Sequence, residues 1–329
     1  MEKIKSLLVE KGEEPDTKAK YEEIYSDAKA WLYEKSHGVH SVILTVLHEK
    51  LKGAHHLDVG CGAGRLALMS AHLADEVTAF DFSEKAISLC RRHLACVNVS
   101  NVRFLRSSIE EFCQMCEDKY EVITMVGVLE HVQNPAAVLL SLSSLLAKDG
   151  VLVVSCPGFI NFRGFTYMTL LNLFDLPMSL ADLHQITPND MKKWAQAAGM
   201  KVRGTIGALY KFAWGERSAR DMMRRVPLAI RDKGLPIDVN YRKYDTWLEE
   251  MASYNKLLLE WLDRHNILKK ITKPVEMKLE RPNEMAQEIW EKAKSYLNEN
   301  VSSDPFYCDQ EPFCYFGGEG IYVLERIKG

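Results

Sequence analysis

Residues 57–65 read LDVGCGAGR, and this stretch decides the fold. It ends a short apolar strand at Asp58 and then places glycine at every second position, at Gly60, Gly62 and Gly64. A helix-forming run, RLALMSAHL, comes next. Glycine lets the backbone turn sharply and lets a ligand approach main-chain atoms that a Cβ would block. A strand, a glycine loop and a helix N-terminus in this order predict a nucleotide-binding cradle.

The composition is that of an ordinary globular chain. Of 329 residues, 47% are apolar and 26% are charged, enough for one elaborated domain or two. The net charge of −3 gives no overall electrostatic reason to bind nucleic acid, and we predict no nucleic-acid partner. The opening residues, MEKIKSLLVEKGEEPDTK, are too polar for a secretory signal, and no apolar run reaches the roughly 18–20 residues that span a bilayer. The sequence therefore predicts a cytoplasmic protein.

The eight cysteines are scattered along the chain and predict no metal site. Cys113 and Cys116 form a C-x-x-C pair, but no second pair stands at the spacing of a zinc site. No Asp/Asp/Asn constellation indicates a catalytic Mg²⁺ either. We therefore expect the cysteines to pack as small apolar side chains.

Short apolar strands alternate with helices from the glycine loop onward. The strand segments, in chain order, are HHLDV, EVTAFDFS, VRFLRSS, YEVITMVG, VLVVSCP and KVRGTIGALY. Between the fourth and the fifth, NPAAVLLSLSSLLAKDG predicts a helix that ends at Gly150. Near-continuous apolar strands separated by helices indicate a parallel sheet covered on both faces, an α/β fold.

The domain organisation is predicted from where the alternation of strands and helices begins and ends. We predict a helical lead-in over 1–50, a nucleotide-binding domain over 51–210 and 320–329 with a lid at 158–186, and a mainly helical insertion at 211–319. Two amphipathic helix candidates stand in the insertion, at 244–266 and 282–300. The strand GIYVLERI follows the insertion.

At the glycine loop the chain resembles the class I S-adenosylmethionine (SAM) methyltransferases. The pattern is D-x-G-x-G-x-G rather than the G-x-G-x-x-G of NAD and FAD enzymes, and Asp81 matches the acidic residue at the end of the second strand. Residues 127–139, GVLEHVQNPAAVL, are close to the motif of the 3-demethylubiquinone O-methyltransferase-like subgroup, also described as methyltransferase type 11/12. The resemblance implies a Rossmann-like, seven-stranded, mostly parallel sheet with a final antiparallel strand beside the sixth. It also implies SAM as the cofactor and S-adenosylhomocysteine as its product.

The same resemblance implies a set of cofactor-binding residues. They are Asp58, Gly60, Cys61, Gly62, Gly64, Asp81, Phe82, Ser108, Ile109 and Val126. A carboxylate at Asp81 can accept both ribose hydroxyls. Ser108 stands where many relatives carry Asp for the adenine amino group, and its hydroxyl can still accept that bond. Ile109 would pack on the adenine face.

Methyl transfer needs alignment and, for a hydroxyl acceptor, a base. His131 and His184 are the candidate catalytic residues because imidazole titrates near neutrality, although each also fits a purely structural role. Phe162, Arg163, Tyr167 and Asp182 are the candidate substrate-binding residues: aromatic walls, a cation for an anionic group, and a carboxylate that orients His184 or binds substrate. Aromatic packing of the lid against the insertion explains the same residues.

The sequence thus predicts a SAM-dependent methyltransferase that acts on a small molecule, with a hydroxyl oxygen as the first hypothesis for the acceptor atom. The alternatives are N- or O-methylation of a sugar-type biosynthetic intermediate and a SAM-binding protein without turnover. A peripheral membrane contact through the lid is a further hypothesis. The acceptor's identity and the oligomeric state stay open.

Overall fold

The computed structural model describes Tyr25 and residues 37–95, 97, 99–176, 182–234, 240–275 and 306–327. Most of the predicted lead-in and the predicted amphipathic segment 282–300 lie outside the described residues. Everything below concerns the described part of the chain.

Seven strands form the main sheet. They are β1 (His55–Val59), β2 (Glu76–Asp81), β3 (Val102–Arg106), β4 (Tyr120–Val126), β5 (Leu146–Pro157), β6 (Met200–Ala208) and β9 (Glu319–Arg326). Their order is β3-β2-β1-β4-β5-β9-β6; the first five pair in parallel, and β9 is antiparallel to both neighbours. Two short strands, β7 (Lys273–Pro274) and β8 (Phe306–Tyr307), pair with each other. The predicted seven-stranded, mostly parallel sheet with an antiparallel last strand is confirmed.

Helices alternate with the strands. They are α1 (His37–Leu51), α2 (Arg65–Ser70), α3 (Glu84–Leu94), α4 (Ile109–Met115), α5 (Pro135–Leu145), α6 (Phe162–Phe174), α7 (Pro188–Ala197), α8 (Tyr210–Trp214), α9 (Glu216–Asp232), α10 (Tyr241–Arg264) and α11 (Ile267–Ile271). On one face of the sheet, α1 and α2 bury Val42 and Leu66 against Val153. On the other face, α5 and α7 bury Leu139 and Met191 among strand residues of a second cluster. The sheet is therefore covered on both faces, as predicted.

The predicted helix end at Gly150 is wrong. Helix α5 ends at Leu145, and β5 begins at Leu146, which pairs with Tyr120 of β4. A Cβ on Gly150 would lie 2.9 Å from the Tyr120 carbonyl oxygen. This glycine therefore allows two strands to approach closely, a role that local sequence cannot distinguish from a helix stop.

Residues of the predicted lid and of the predicted insertion pack in one core cluster. Helix α6, inside the predicted lid, starts where Asn161 accepts a hydrogen bond from the amide of Gly164 at 2.8 Å. Its buried face packs with residues of α9 and α10, among them Met222 and Leu248. Helix α10 begins at Tyr241, three residues before the predicted start at 244, because the Asn240 side chain caps it.

Candidate functional site

The glycine loop after β1 is built for close approach. Gly60, Gly62 and Gly64 have φ values of +65°, +52° and +79°, which side chains rarely tolerate. A Cβ on Gly60 would lie 2.6 Å from Val128 Cγ2, and one on Gly64 would lie 2.8 Å from Cys90 Sγ. The loop therefore needs glycine both for its backbone and for its contacts.

Asp81 joins the end of β2 to this loop. Its carboxylate is buried, with Oδ2 accepting the amide of Gly62 at 3.1 Å and Oδ1 accepting the amide of Ser83 at 2.9 Å. A carboxylate offers about four lone-pair directions, more than these two bonds use. Asp81 can therefore hold the loop and also accept hydroxyl groups of a ligand.

The other predicted cofactor residues at β1 and β4 lie at the same edge of the sheet. Asp58 is 3% exposed and accepts a hydrogen bond from the Thr124 hydroxyl at 2.8 Å. Cys61 is buried, and burial, followed by the thiol of Cys90, raises its pKa well above the ordinary value, so it stays a thiol. Val126, half-buried, is the last residue of β4. The carboxyl ends of adjacent parallel strands are where α/β sheets bind ligands.

Ser108 has a structural task in addition to its predicted contact with adenine. Its hydroxyl accepts the amide of Glu111 at 3.1 Å, and the Glu111 carboxylate accepts the amide of Ser108 at 3.0 Å, a reciprocal cap on α4. Ile109 is half-buried and packs against the main core cluster. Phe82, also half-buried, follows Asp81, and its carbonyl oxygen accepts a hydrogen bond from the side-chain Nε of Arg106 at 3.4 Å.

The short helical turn after β4 faces the end of the lid. The main-chain oxygen of Glu130 accepts the amides of Leu183 and His184 at 2.8 and 3.1 Å. Nδ1 of His131 lies 3.1 Å from Oδ1 of Asp182, and their side chains are 13% and 11% exposed. The structure therefore brings the predicted His131 and Asp182 together, although the sequence hypothesis paired Asp182 with His184.

His184 points elsewhere. Its Nε2 lies 3.0 Å from the carbonyl oxygen of Val132, and its ring contacts Trp194 edge-on at 5.7 Å between centroids. A carbonyl oxygen only accepts, so Nε2 carries the proton. His184 thus fastens the end of the lid to the turn after β4.

Most of the predicted substrate-binding side chains of the lid are buried or paired with other residues of the protein. Phe162 and Tyr167 are each 3% exposed and lie in the core that the lid shares with the insertion. Nε of Arg163 lies 3.3 Å from Asp221 Oδ2, and Nε of Arg225 lies 2.9 Å from the other oxygen of Asp221. Arg163 is therefore already paired rather than available to an anionic substrate.

Two further carboxylates belong to this edge and were not among the predicted site residues. Glu130 is 3% exposed, and its Oε2 has no hydrogen-bond partner among the described residues. Glu319 opens β9, and the Ser155 hydroxyl donates to its Oε1 at 2.9 Å. The position of Glu319 could have been predicted from the antiparallel direction of the last strand. This direction brings the start of that strand to the edge where the parallel strands end.

A family model described as a methyltransferase domain matches residues 50–226, more than half of the chain. The chain belongs to this methyltransferase family. Ubiquinone biosynthesis O-methyltransferase of Azotobacter vinelandii is 30% identical over 212 residues, which cover 62% of this methyltransferase and 82% of the relative. The enzyme of the same name from Glaesserella parasuis is 29% identical over 198 residues, covering 55% and 82%.

Solved structures of methyltransferases also align. Magnesium protoporphyrin IX methyltransferase from Synechocystis PCC 6803, with bound SAH, aligns with a TM-score of 0.44 at 20% identity, covering 57% of this methyltransferase and 85% of that chain.

The protein is a class I SAM-dependent methyltransferase, and its cofactor is SAM. The glycine loop, whose Cβ positions are closed to side chains, and the buried Asp81 fit a nucleoside cofactor. When bound, the cofactor supplies an electrophilic methyl group on a sulfonium. Among the described residues, no group of three or more His, Cys, Asp or Glu side chains is placed to hold a metal ion. No helix in the described ranges is long and apolar enough to cross a membrane.

Proposed function

We propose that this methyltransferase methylates a hydroxyl oxygen of a small molecule and that His131 takes the hydroxyl proton. The observation that carries the proposal is the 3.1 Å contact between His131 Nδ1 and Asp182 Oδ1 at the edge of the sheet where β4 ends. Both relatives reported above are named as O-methyltransferases, which supports an oxygen acceptor.

The contact assigns the two nitrogens of His131 different tasks. The two atoms lie within ion-pair distance without the geometry of a hydrogen bond, so Asp182 acts on Nδ1 through its charge. That negative charge favours the tautomer with the proton on Nδ1, which leaves the lone pair on Nε2. A base whose second nitrogen is oriented by a carboxylate is the usual arrangement for taking a proton from a hydroxyl. Asp182 is thus the orienting residue and His131 Nε2 the proton acceptor.

His131 is favoured over His184 by their neighbours. Nε2 of His184 already donates to the Val132 carbonyl, and its ring rests against Trp194. We therefore propose that His184 positions the lid end, so that its replacement would alter substrate binding more than the proton transfer.

The test uses the full chain with ¹³C-methyl SAM and a cell extract. We expect a small-molecule product whose methyl carbon resonates as O–CH₃. His131→Gln should lower kcat at least about 100-fold, because general base catalysis contributes that much, and leave the dissociation constant of SAM unchanged. His72→Gln, which changes an exposed histidine, is the matched control. An N–CH₃ product, or full activity of His131→Gln, would overturn the proposal.

We also propose a cytoplasmic location. Seven cysteines of the described residues are unpaired, and free thiols are typical of a reducing compartment. Cell fractionation with an antibody to the chain tests this: recovery in an oxidising compartment would contradict it.

A peripheral membrane contact through the lid stays part of the proposal. Phe165, Leu173 and Phe174 of α6 are 53%, 67% and 40% exposed, which gives the lid an apolar surface. Cosedimentation with anionic phospholipid vesicles should be lost in Leu173→Ser, and no sedimentation of the unaltered chain would rule the contact out.

A further inference from the structure

Helix α3 carries two side chains that bind the main chain of the glycine loop. Sγ of Cys90 lies 3.1 Å from the carbonyl oxygen of Gly62, and Nδ1 of His93 lies 2.9 Å from the carbonyl oxygen of Ala63. Because a carbonyl oxygen only accepts, the Cys90 thiol and the Nδ1–H of His93 are the donors. Residues three apart lie on one face of a helix, so α3 presents both donors to two successive carbonyls.

These two carbonyls belong to a tight turn. The amide of Gly64 donates to the carbonyl oxygen of Cys61 at 2.9 Å, which closes a four-residue turn with Gly62 and Ala63 at its centre. The peptide between the two central residues takes no part in that bond, and its orientation distinguishes one type of turn from another. The side chains of α3 therefore fix an orientation that the turn's own hydrogen bond leaves open.

The carbonyl oxygen of Gly62 is directed into the protein. Cys90, to which it binds, is 0% exposed and packs with Val77 of β2 and Phe104 of β3 in one core cluster. The oxygen thus points toward the interior rather than into the crevice outside the ends of the parallel strands, where α/β sheets bind ligands. A carbonyl turned the other way would occupy space that glycine keeps free of side chains.

Gly62 is held by side chains at both of its main-chain polar atoms. Its amide donates to Asp81 Oδ2 at 3.1 Å, and its carbonyl oxygen accepts from Cys90. A Cβ on Gly64 would lie 2.8 Å from Cys90 Sγ, so the same thiol also lies against the last residue of the turn. Asp81 and α3 therefore act together on the shape of the loop.

His93 acts on the loop as a neutral donor. Burial lowers its pKa, and the charges of Arg65 and Arg92 lower it further, whereas the bond to Ala63 acts in the opposite direction. The ring is therefore uncharged at neutral pH and carries its proton on Nδ1. In asparagine the amide nitrogen is attached to Cγ, as Nδ1 is in histidine, so asparagine can supply the same donor.

We propose that Cys90 and His93 are positioning residues for the cofactor. By binding the carbonyl oxygens of Gly62 and Ala63, they keep the glycine loop in the conformation that admits SAM, and neither side chain needs to touch SAM itself. The inference concerns cofactor binding alone, so it holds whichever acceptor receives the methyl group.

Two substitutions of nearly equal shape test the part assigned to His93. In His93→Leu the donor is lost, and we expect the dissociation constants of SAM and SAH, measured by calorimetry on the full chain, to rise at least about fivefold. In His93→Asn the donor is kept, and both constants should stay within about twofold of the unaltered chain. Unchanged affinity in His93→Leu, or an equal loss in His93→Asn, would overturn the inference.

A second pair of substitutions tests the part assigned to Cys90. Cys90→Ala removes the donor and Cys90→Ser keeps one. Because a thiol is a weak donor, we expect a rise of about two- to fivefold in the dissociation constant of SAM for the alanine variant. The serine variant should bind SAM as the unaltered chain does, and equal affinities in the two variants would overturn the role of Cys90.

Ile87→Val is the matched control for a general loss of stability. Ile87 is buried on the same helix and packs in the same core cluster, but its side chain has no donor for the loop. We expect the variant to melt at a lower temperature and to keep its affinity for SAM. If it loses as much affinity as His93→Leu, the effect is general and the inference is overturned. Should His93→Leu fail to fold, the Cys90 pair decides.

Discussion

The Thr124 hydroxyl donates a 2.8 Å hydrogen bond to Asp58 Oδ1, and its oxygen also lies 2.8 Å from His56 Nε2. An ionised carboxylate only accepts, so Thr124 must accept from Nε2–H of a neutral His56. Nδ1 of His56 lies 2.8 Å from the Ser70 hydroxyl at the end of α2. The orientation of Asp58 behind the glycine loop thus depends on a buried chain of residues, none of them in the predicted cofactor set.

Removing that hydroxyl should harm both the fold and the cofactor site. Thr124→Val removes the hydrogen bond to Asp58 and the acceptor of His56 Nε2–H. We therefore expect unfolding free energy to fall by about 1–3 kcal/mol. The dissociation constant of SAM, measured by calorimetry, should rise severalfold. Thr78→Val, at an equally buried threonine of β2, should cost stability without changing SAM affinity. Equal SAM affinities in both variants would contradict the positioning of Asp58 by Thr124.

Asp81→Asn should lower SAM affinity strongly while lowering the stability of the fold only slightly. Asp81 now accepts hydrogen bonds from the main-chain N–H groups of Gly62 and Ser83. The side chain of an asparagine has one oxygen and can keep only one of these bonds. We therefore expect the free energy of unfolding to fall by about 1 kcal/mol. SAM affinity should fall at least about tenfold, because a charged acceptor is roughly twice as strong as a neutral one. The exposed Asp75→Asn is the control for calorimetry and denaturation. Unchanged SAM affinity in Asp81→Asn would remove Asp81 from the cofactor site.

Alanine substitutions at two glycines with similar positive φ but different neighbours should separate backbone strain from side-chain collision. Gly64 and Gly199 have φ of +79° and +70°, but a Cβ on Gly64 would lie 2.8 Å from Cys90 Sγ, whereas one on Gly199 would meet nothing within 4 Å. Gly199→Ala should cost about 1 kcal/mol from the backbone alone. Gly64→Ala should cost at least about 1 kcal/mol more and weaken SAM binding. Equal losses of unfolding free energy would show that the loop can move aside.

Acid should destabilise the fold through two buried histidines. Burial lowers the pKa of His40 and of His56 to about 3, and the Arg65 charge adds to the effect on His40. In the unfolded chain both histidines become protonated near pH 6.5. The free energy of unfolding therefore decreases as the pH falls below that value. By pH 5 each histidine should remove about 2 kcal/mol of unfolding free energy.

His40→Met tests this in denaturant titrations at neutral pH and at about pH 5. The loss of stability on acidification should be about 2 kcal/mol smaller than in the unaltered chain. His72→Met, at an exposed histidine, should leave the loss unchanged. An identical loss in His40→Met would mean that His40 becomes protonated without unfolding.

The glycine loop, Asp81 and the LEH segment were predictable from sequence because each is a local pattern. The strands were predictable because runs such as HHLDV and VLVVSCP are too apolar to lie anywhere but inside a sheet. The end of α5 was not predictable from sequence, because Gly150 is needed for the close approach of β5 to Tyr120 on β4. The partner of Asp182 was not predictable either, because His131 is distant in sequence and reaches it only through the packing of the lid end on the turn after β4.

The sequence by itself indicated the family and the cofactor through a resemblance carried by local motifs. It also predicted the succession of strands and helices along the chain, because glycine spacing and apolar runs act through the local backbone. Only the tertiary structure decided which charged groups share the acceptor side. It paired Arg163 with Asp221 and buried Glu130 Oε2 without a hydrogen-bond partner among the described residues. The charge that a substrate meets depends on which side chains neutralise one another in space, and sequence distance does not record that.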